Sequence, residues 1–338
     1  MSSSVSQAPV GAAPERARAR RGGRELLSIR RYGLQIGTVG MGLVLWTALA
    51  VGASETWLHF DIYSALMSTV PQTGIVALAL TLVVIAREID LSFGSVMAVA
   101  SWVFIATGQP VLGLLAGLAA GLGAGLLNGL IVVRFGIPSL VATIGTWFFW
   151  AGIVNVGTNG NGAGTDFANG FVSELITGRI GGYVPAEFVW MIGIAVVLWV
   201  VLNRHRFGAH VYLVGDNEQS ARMMGVRTNR VRVAVFALCG LAAALGGIAS
   251  SLESHYFWPT VGSGAMLPTV AAVFLGGTSI FGGRGTILGT AIGAFVIGAI
   301  EPGIVSLDLT GFYTQVIYGA VIVVALVMQS LLMRRTQR

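Results

Sequence analysis

The chain contains no lysine, so all 20 of its Lys+Arg residues are arginine. A phosphate loop of the form G-x-x-x-x-G-K-[ST] needs its lysine to reach the β- and γ-phosphates, and this polypeptide therefore cannot contain one. Any ATP chemistry has to come from a partner, and no cofactor is expected on this chain itself. Charge of either sign is also scarce, at 10% of residues, whereas a soluble domain carries about 25% to cover its surface. That shortage excludes a water-soluble globule, because the residues left over cannot build a polar shell. Cysteine occurs once, at Cys239 within an apolar run. It can form no intrachain disulfide or multi-cysteine metal site, which leaves a small buried hydrophobe as its expected role. The four histidines, at 59, 205, 210 and 255, show no H-E-x-x-H or comparable ligand spacing, so no metal is expected.

What fills the space is apolar. Hydrophobic residues make up 55% of the chain, alongside 48 glycines, small residues that let membrane helices approach closely. Charge-free apolar cores run 34–53, 65–85, 94–107, 111–133, 138–157, 188–202, 233–252, 267–280, 287–300 and 312–333. Five or six of these reach the ~20 residues that a ~30 Å hydrocarbon layer demands, and the shorter ones must borrow polar flanks or be interrupted helices. The expected fold is an all-α integral membrane protein of about ten transmembrane helices. With the N-terminus inside and the spans alternating, nineteen of the 20 arginines fall on the cytoplasmic side and only Arg179 outside. Cytoplasmic loops collect arginine in this way, so both termini are expected in the cytoplasm.

Residues 1–33 are rich in Ser, Ala, Pro and Arg and lack the apolar content to fold alone, so a disordered cytoplasmic tail is expected ahead of a transmembrane domain over 34–333. A transit peptide is the competing reading, and Glu15 and Glu25 weigh against it. Two loops are long: an outside stretch, 158–186, rich in Asn and Gly, and a basic inside stretch, 203–232.

The inside stretch carries the sharpest local signal. Asp216 followed three residues later by Gln219 has the form of a capping box, and Gly225 suits the left-handed position after a helix end, which predicts roughly two turns of helix over 217–224. Met223 and Met224 are flexible apolar side chains suited to docking against another protein. The functional reading of Asp216, Asn217, Glu218, Ala221, Arg222, Met223, Met224 and Gly225 is a coupling helix seated in a groove of a partner ATPase. The plainer reading is a loop whose arginines only enforce topology.

Three blocks then resemble a known family. Thr81-Leu82-Val83-Val84-Ile85 to Ile89-Asp90-Leu91-Ser92-Phe93-Gly94-Ser95-Val96-Met97-Ala98, the Gly215-Asp216-Asn217-Glu218 to Ala221-Arg222-Met223-Met224-Gly225-Val226 loop, and Leu275-Gly276-Gly277-Thr278-Ser279-Ile280-Phe281-Gly282-Gly283-Arg284-Gly285-Thr286 are similar, in this order, to blocks of the ribose/xylose-type (monosaccharide) ABC transporter permeases. The similarity covers 34–333. It departs from the family at Ala86-Arg87-Glu88, where many relatives carry glycines, and at Phe93, where valine is usual. The resemblance implies a multi-pass permease of the bacterial inner membrane that pairs as a homodimer. It also implies ATPase subunits, which hold ATP and Mg, on the cytoplasmic face, and a monosaccharide or small polyol received from a periplasmic sugar-binding protein. Membrane lipid is the remaining partner, and no nucleic acid is expected.

Residue readings follow. Asp90 is read as an N-cap for a helix starting near Ser92 in preference to a gating carboxylate, and Glu88 beside Arg87 as an interfacial ion pair. Gly276-Gly277 and Gly282-Gly283 permit a re-entrant break, although close helix packing explains them nearly as well. A neutral, hydroxyl-rich sugar needs amides, hydroxyls and aromatic faces along its path. Thr73, Ser101, Asn128, Thr143, Trp147 and Asn155 are candidates, with ordinary helix-helix hydrogen bonding as the competing role. An ion-coupled secondary transporter would place an acid or an unwound ion site near the midplane, and no core contains Asp, Glu, Arg or His. A membrane enzyme would need a nucleophile and base or ligands at one depth, and none is seen. Permeases for branched-chain amino acids, nucleosides or a signalling sugar are the remaining alternatives.

Overall fold

The computed structural model describes residues 37–165 and 170–334, with side chains to residue 327. The expected tail, 1–33, lies outside the described residues. The helices are α1 (Gly37–Gly52), α2 (Ser54–Trp57), α3 (Phe60–Ile85), α4 (Phe93–Ala106), α5 (Pro110–Phe135), α6 (Ser139–Thr158), α7 (Phe171–Thr177), α8 (Ala186–Arg204), α9 (Arg206–Asp216), α10 (Glu218–Met223), α11 (Thr228–Glu253), α12 (Met266–Leu275), α13 (Ile287–Gly298), α14 (Ile300–Ser306) and α15 (Phe312–Arg334). Four two-residue strands complete the described elements: β1 (Ala163–Gly164), β2 (Arg179–Ile180), β3 (Val184–Pro185) and β4 (Tyr256–Phe257). They pair antiparallel as β1 with β4 and β2 with β3. The all-helical expectation holds for the body of the chain. The 158–186 stretch, expected as a loop, also contains α7 and the β2–β3 hairpin.

Six stretches are long and apolar enough to cross a membrane: α3, α5, α6, α8, α11 and the continuous α13–α14 run, while α1, α4, α12 and the first part of α15 are shorter apolar helices. Helix ends follow local chemistry. Pro110 opens α5, where a missing N–H costs nothing, and Gly136 closes it in the left-handed region at φ 66°. Thr286 accepts the Gly289 N–H at 3.1 Å and so caps α13.

Helices α3 and α11 are largely buried at the centre, whereas α5, α6 and α8 turn most of their apolar surface outward. Phe148, Phe149, Val156 and Val197 are exposed on that perimeter. Such a surface is stable only in an apolar solvent. The close approach of α5 to α11 depends on glycine: a Cβ at Gly125 would lie 2.3 Å from the Phe236 carbonyl oxygen, and one at Gly240 would lie 2.2 Å from that of Gly121. Backbones pack here without intervening side chains, the device by which membrane helices gain contact when lipid removes the hydrophobic drive.

The connections gather at two poles. At one, Gly283 donates to the Ile85 carbonyl at 2.8 Å, Tyr212 donates to the Gly285 carbonyl at 2.8 Å, and the Ile89 N–H reaches Ser139 Oγ at 3.0 Å. The turns after α3, α5, α9 and α12 therefore lie together. At the other, β1 meets β4, Arg179 donates to Ser64 Oγ at 2.9 Å, and Trp57 donates to Ser306 Oγ at 2.8 Å.

Candidate functional site

The first pole brings the three sequence blocks into contact, the first through Ile85, although the first and the last lie far apart in the chain. Its hub is Gly215 near the end of α9, whose Cβ, if present, would fall 1.7 Å from the Ile85 carbonyl oxygen and 2.7 Å from the Gly283 nitrogen. No side chain fits there. Gly282 and Gly283 adopt φ of 79° and 69°, conformations that favour glycine, and these let the 276–286 turn fold back onto Arg87 and Asp216. Gly277 is left-handed too, at φ 86°, just beyond the end of α12. Gly276 packs against Gly289 of α13. These glycines turn the chain between α12 and α13 and let the two helices pack closely.

Helix α10 projects from this hub. It spans Glu218–Met223, one residue inside each end of the expected 217–224 helix, and Gly225 takes the left-handed conformation at φ 81° as expected. The expected cap is corrected: Asn217, not Asp216, receives the Ser220 N–H, at 2.9 Å, and Asp216 is the last residue of α9. The physical reason is that α9 continues through Asp216, and only Asn217, with φ −154°, leaves helical geometry and can act as a cap. Ala221 is buried against the body, while Met223 and Met224 are 78% and 61% exposed. The helix therefore has an anchored side and an apolar, uncovered end.

An ionic network fixes the anchored side. Arg222 binds Glu218 at 2.6 Å and Thr228 Oγ1 at 3.0 Å, Thr228 also donates to Glu218 at 3.1 Å, and Arg232 stands 3.6 Å from Glu218. Arg232 in turn pairs with Glu88. The expected Arg87–Glu88 pair is thereby corrected. Arg87 is exposed in a left-handed conformation at φ 65°, while Glu88 is buried and faces α11. Burial of Glu218 opposes its ionisation, but the Arg222 hydrogen bond, the Arg232 and Arg222 charges and the Thr228 hydroxyl together hold its carboxyl below the usual range.

From Glu88 the chain enters the first block. Asp90 is 1% exposed and accepts from the Ser92 N–H at 2.9 Å and from Ser92 Oγ–H at 2.6 Å. This closes an Asx turn just ahead of α4, which starts at Phe93, so the cap-like bonding expected of Asp90 serves the residue preceding the helix. Asn128 of α5 donates to Ser92 Oγ at 2.6 Å. Cys239 on α11 is buried, as expected. Gly94 packs against Gly262, and Ser95 donates to the Ser92 carbonyl at 2.8 Å.

The six path candidates divide. Asn128 and Thr143 converge on the first block, Thr143 through a 3.3 Å contact to the Ile89 carbonyl beside its own-helix bond to Ser139. Ser101 is fully buried with no partner for its hydroxyl. Thr73 and Asn155 bond within their own helices, to Val70 and Ala151, and Trp147 stacks on Phe148 at 5.2 Å. The structure does not bring the six together.

A family model described as "Branched-chain amino acid transport system / permease component" matches residues 62–326. The chain is 38% identical over 273 residues, 78% of its length and 83% of the relative's, to the ribose import permease protein RbsC of Bacillus subtilis. It is 33% identical to the ribose import permease protein RbsC of Escherichia coli K12 over 284 residues, covering 80% and 87% of the two chains. It is 30% identical to the fructose import permease protein FrcC of Rhizobium meliloti over 276 residues, covering 77% and 75%. No solved structure matches it.

Proposed function

The chain belongs to the branched-chain amino acid transport system / permease component family of multi-pass membrane proteins, and from that premise we propose that it is the membrane-spanning subunit of an ATP-driven importer of a monosaccharide or related small polyol. The sugars in the relatives' names, ribose and fructose, favour a sugar over the amino acids in the family's description. The polypeptide is the conduit and not an enzyme.

The observation that carries this reading is α10: a short helix anchored by Ala221 and the Glu218–Arg222–Arg232 network, with Met223 and Met224 left uncovered. In our reading the pole bearing α10 is cytoplasmic, the transmembrane domain spans 34–333 with about ten crossings, and both termini lie inside, in keeping with the arginine distribution. The methionines dock in an ATPase subunit that holds ATP and Mg. Motion of that subunit enters through α10, passes to Glu88 by way of Arg232, and reaches the Asp90–Ser92–Asn128 cluster that sets α4 against α5. The opposite pole, with α7 and the short strands, receives a periplasmic sugar-binding protein. The permease acts as a homodimer, and Asn128, Thr143 and the unpartnered Ser101 hydroxyl remain our candidates for meeting the sugar.

Uptake of labelled ribose and fructose by vesicles carrying the permease, its ATPase and its binding protein tests the proposal. Accumulation that requires ATP hydrolysis and vanishes without the ATPase is expected, and sugar uptake that persists in the absence of nucleotide would sink it.

A further inference from the structure

Between α5 and the first turns of α11 runs a groove of about 690 Å³. Its walls follow from helical period. On α5, Leu122, Leu126 and Leu130 recur at every fourth position and are exposed, and on α11 Val233, Ala234 and Ala237 share the face that begins at Arg230. The two alanines are short beside the facing leucines, which leaves the trough unfilled. From Leu122 to Leu130 it extends roughly 12 Å at the helical rise. Phe207, in the first turn of α9, completes the lining.

No acidic side chain lines this groove. Arg230 does line it, exposed and without an ion pair or side-chain hydrogen bond among the described residues. Arg222 and Arg232, by contrast, are engaged by Glu218 and Glu88. Asn229, also in the lining, accepts from Arg222 through Oδ1 at 3.3 Å and keeps its amide N–H groups available. Further exposed arginines stand close along the chain: Arg134 follows the lining residue Val133, Arg206 precedes Phe207, and Arg227 lies one turn ahead of Arg230. None of these forms an ion pair among the described residues either. An oily trough thus ends in unneutralised guanidinium.

We propose that this groove binds an anionic phospholipid, with an acyl chain along the trough between α5 and α11 and the phosphate on Arg230 and the Asn229 amide. The planar guanidinium matches two phosphate oxygens at once, and a basic pocket between membrane helices selects an anionic head group. A zwitterionic lipid brings a cation to a place that holds unpaired arginines and no acid. A second copy of the chain would meet the groove with the same arginines across a twofold contact, and the arginine-rich 1–33 segment carries the same sign of charge. Only the leaflet, the cytoplasmic one, rests on the orientation proposed above. Because Phe207 belongs to α9, the bound lipid ties the helix that leads into α10 to α5 and α11.

Native mass spectrometry of the purified full-length chain, exchanged into dioleoyl phosphatidylglycerol or dioleoyl phosphatidylcholine, tests this. ATPase, binding protein and sugar are left out, so the outcome is independent of whether the chain transports sugar. The wild type should retain phosphatidylglycerol in preference to phosphatidylcholine. That preference should fall about fivefold in Arg230→Gln, the worth of one arginine beside an anionic lipid, and be largely kept in Arg230→Lys. Ala234→Phe, which fills the trough and leaves every arginine in place, should lower phosphatidylglycerol retention. Equal retention of the two lipids by the wild type, a preference unchanged in Arg230→Gln, or displacement of the lipid by inorganic phosphate alone would each overturn the proposal. So would loss of a dimer in Arg230→Gln with lipid content unchanged, which would give the groove to a second copy. Should Ala234→Phe fail to fold, the exposed Arg230 variants decide it.

Discussion

Arg232 and Glu88 form an ion pair across 144 residues of sequence, tying the start of α11 to the turn that follows α3. Both side chains are largely buried, at 17% and 8% exposure, whereas the neighbouring Arg222–Glu218 pair is 56% and 38% exposed. Burial decides which of the two matters. Removing one partner of a buried pair strands a charge at a cost of about 3–5 kcal/mol, while an exposed pair contributes about 1 kcal/mol or less. Arg232→Ala should therefore lower thermal stability far more than Arg222→Ala, and the two melting curves in nanodiscs settle it.

The exposed tip of α10 should behave differently. Met223→Glu with Met224→Glu leaves every anchoring contact intact, so insertion and melting temperature should match the wild type. Binding of the ATPase should weaken by about tenfold or more, as expected when apolar anchors of an interface become charged. Co-purification with the ATPase measures it, and undiminished recovery would remove α10 from the docking surface.

Gly215 tolerates no side chain. Gly215→Ala would press a methyl group into the Ile85 carbonyl and the Gly283 amide, and overpacking of this kind costs about 1–3 kcal/mol or more. A melting temperature equal to the wild type would show that the three segments can part freely.

The Asp90 cluster offers a graded test. Asn128→Ala removes the donor to Ser92 Oγ, an expected loss of about 1–3 kcal/mol for a buried hydrogen bond. Asn128→Asp should be worse, because it places a second carboxylate beside Asp90. Thermal unfolding of the two variants ranks them.

Acid should loosen α10. The Glu218 carboxyl is held below the usual range, so its contribution is complete above the ordinary glutamate pKa and is lost as pH falls through the lowered folded value. Amide hydrogen exchange at Ala221 and Arg222 should accelerate on acidification, after correction for intrinsic rates, and Glu218→Gln should remove that dependence.

Much of the candidate site could be read in advance where the signal is local. Gly225, the short helix before it and the glycine-rich turn between α12 and α13 announce themselves through backbone chemistry that only certain residues satisfy. Sequence does not distinguish Asp216 from Asn217 as the cap of α10, because both residue types cap helices, and the deciding fact is where α9 ends. The partner of Glu88 was likewise illegible: adjacency suggested Arg87, yet a left-handed turn at Arg87 separates the two, and the true partner waits on another helix.

Composition alone settled that this chain folds in lipid, through oily helices with scarce charge, and that it cannot bind ATP by a lysine-bearing phosphate loop. Those are properties of residue supply and period, indifferent to where any helix lies. Which helices stand at the centre and which arginine neutralises Glu88 depend on distances between segments remote in sequence. Only packing fixes these, because glycine-mediated contact between helices such as α5 and α11 brings particular side chains within reach and excludes the water that would otherwise separate them.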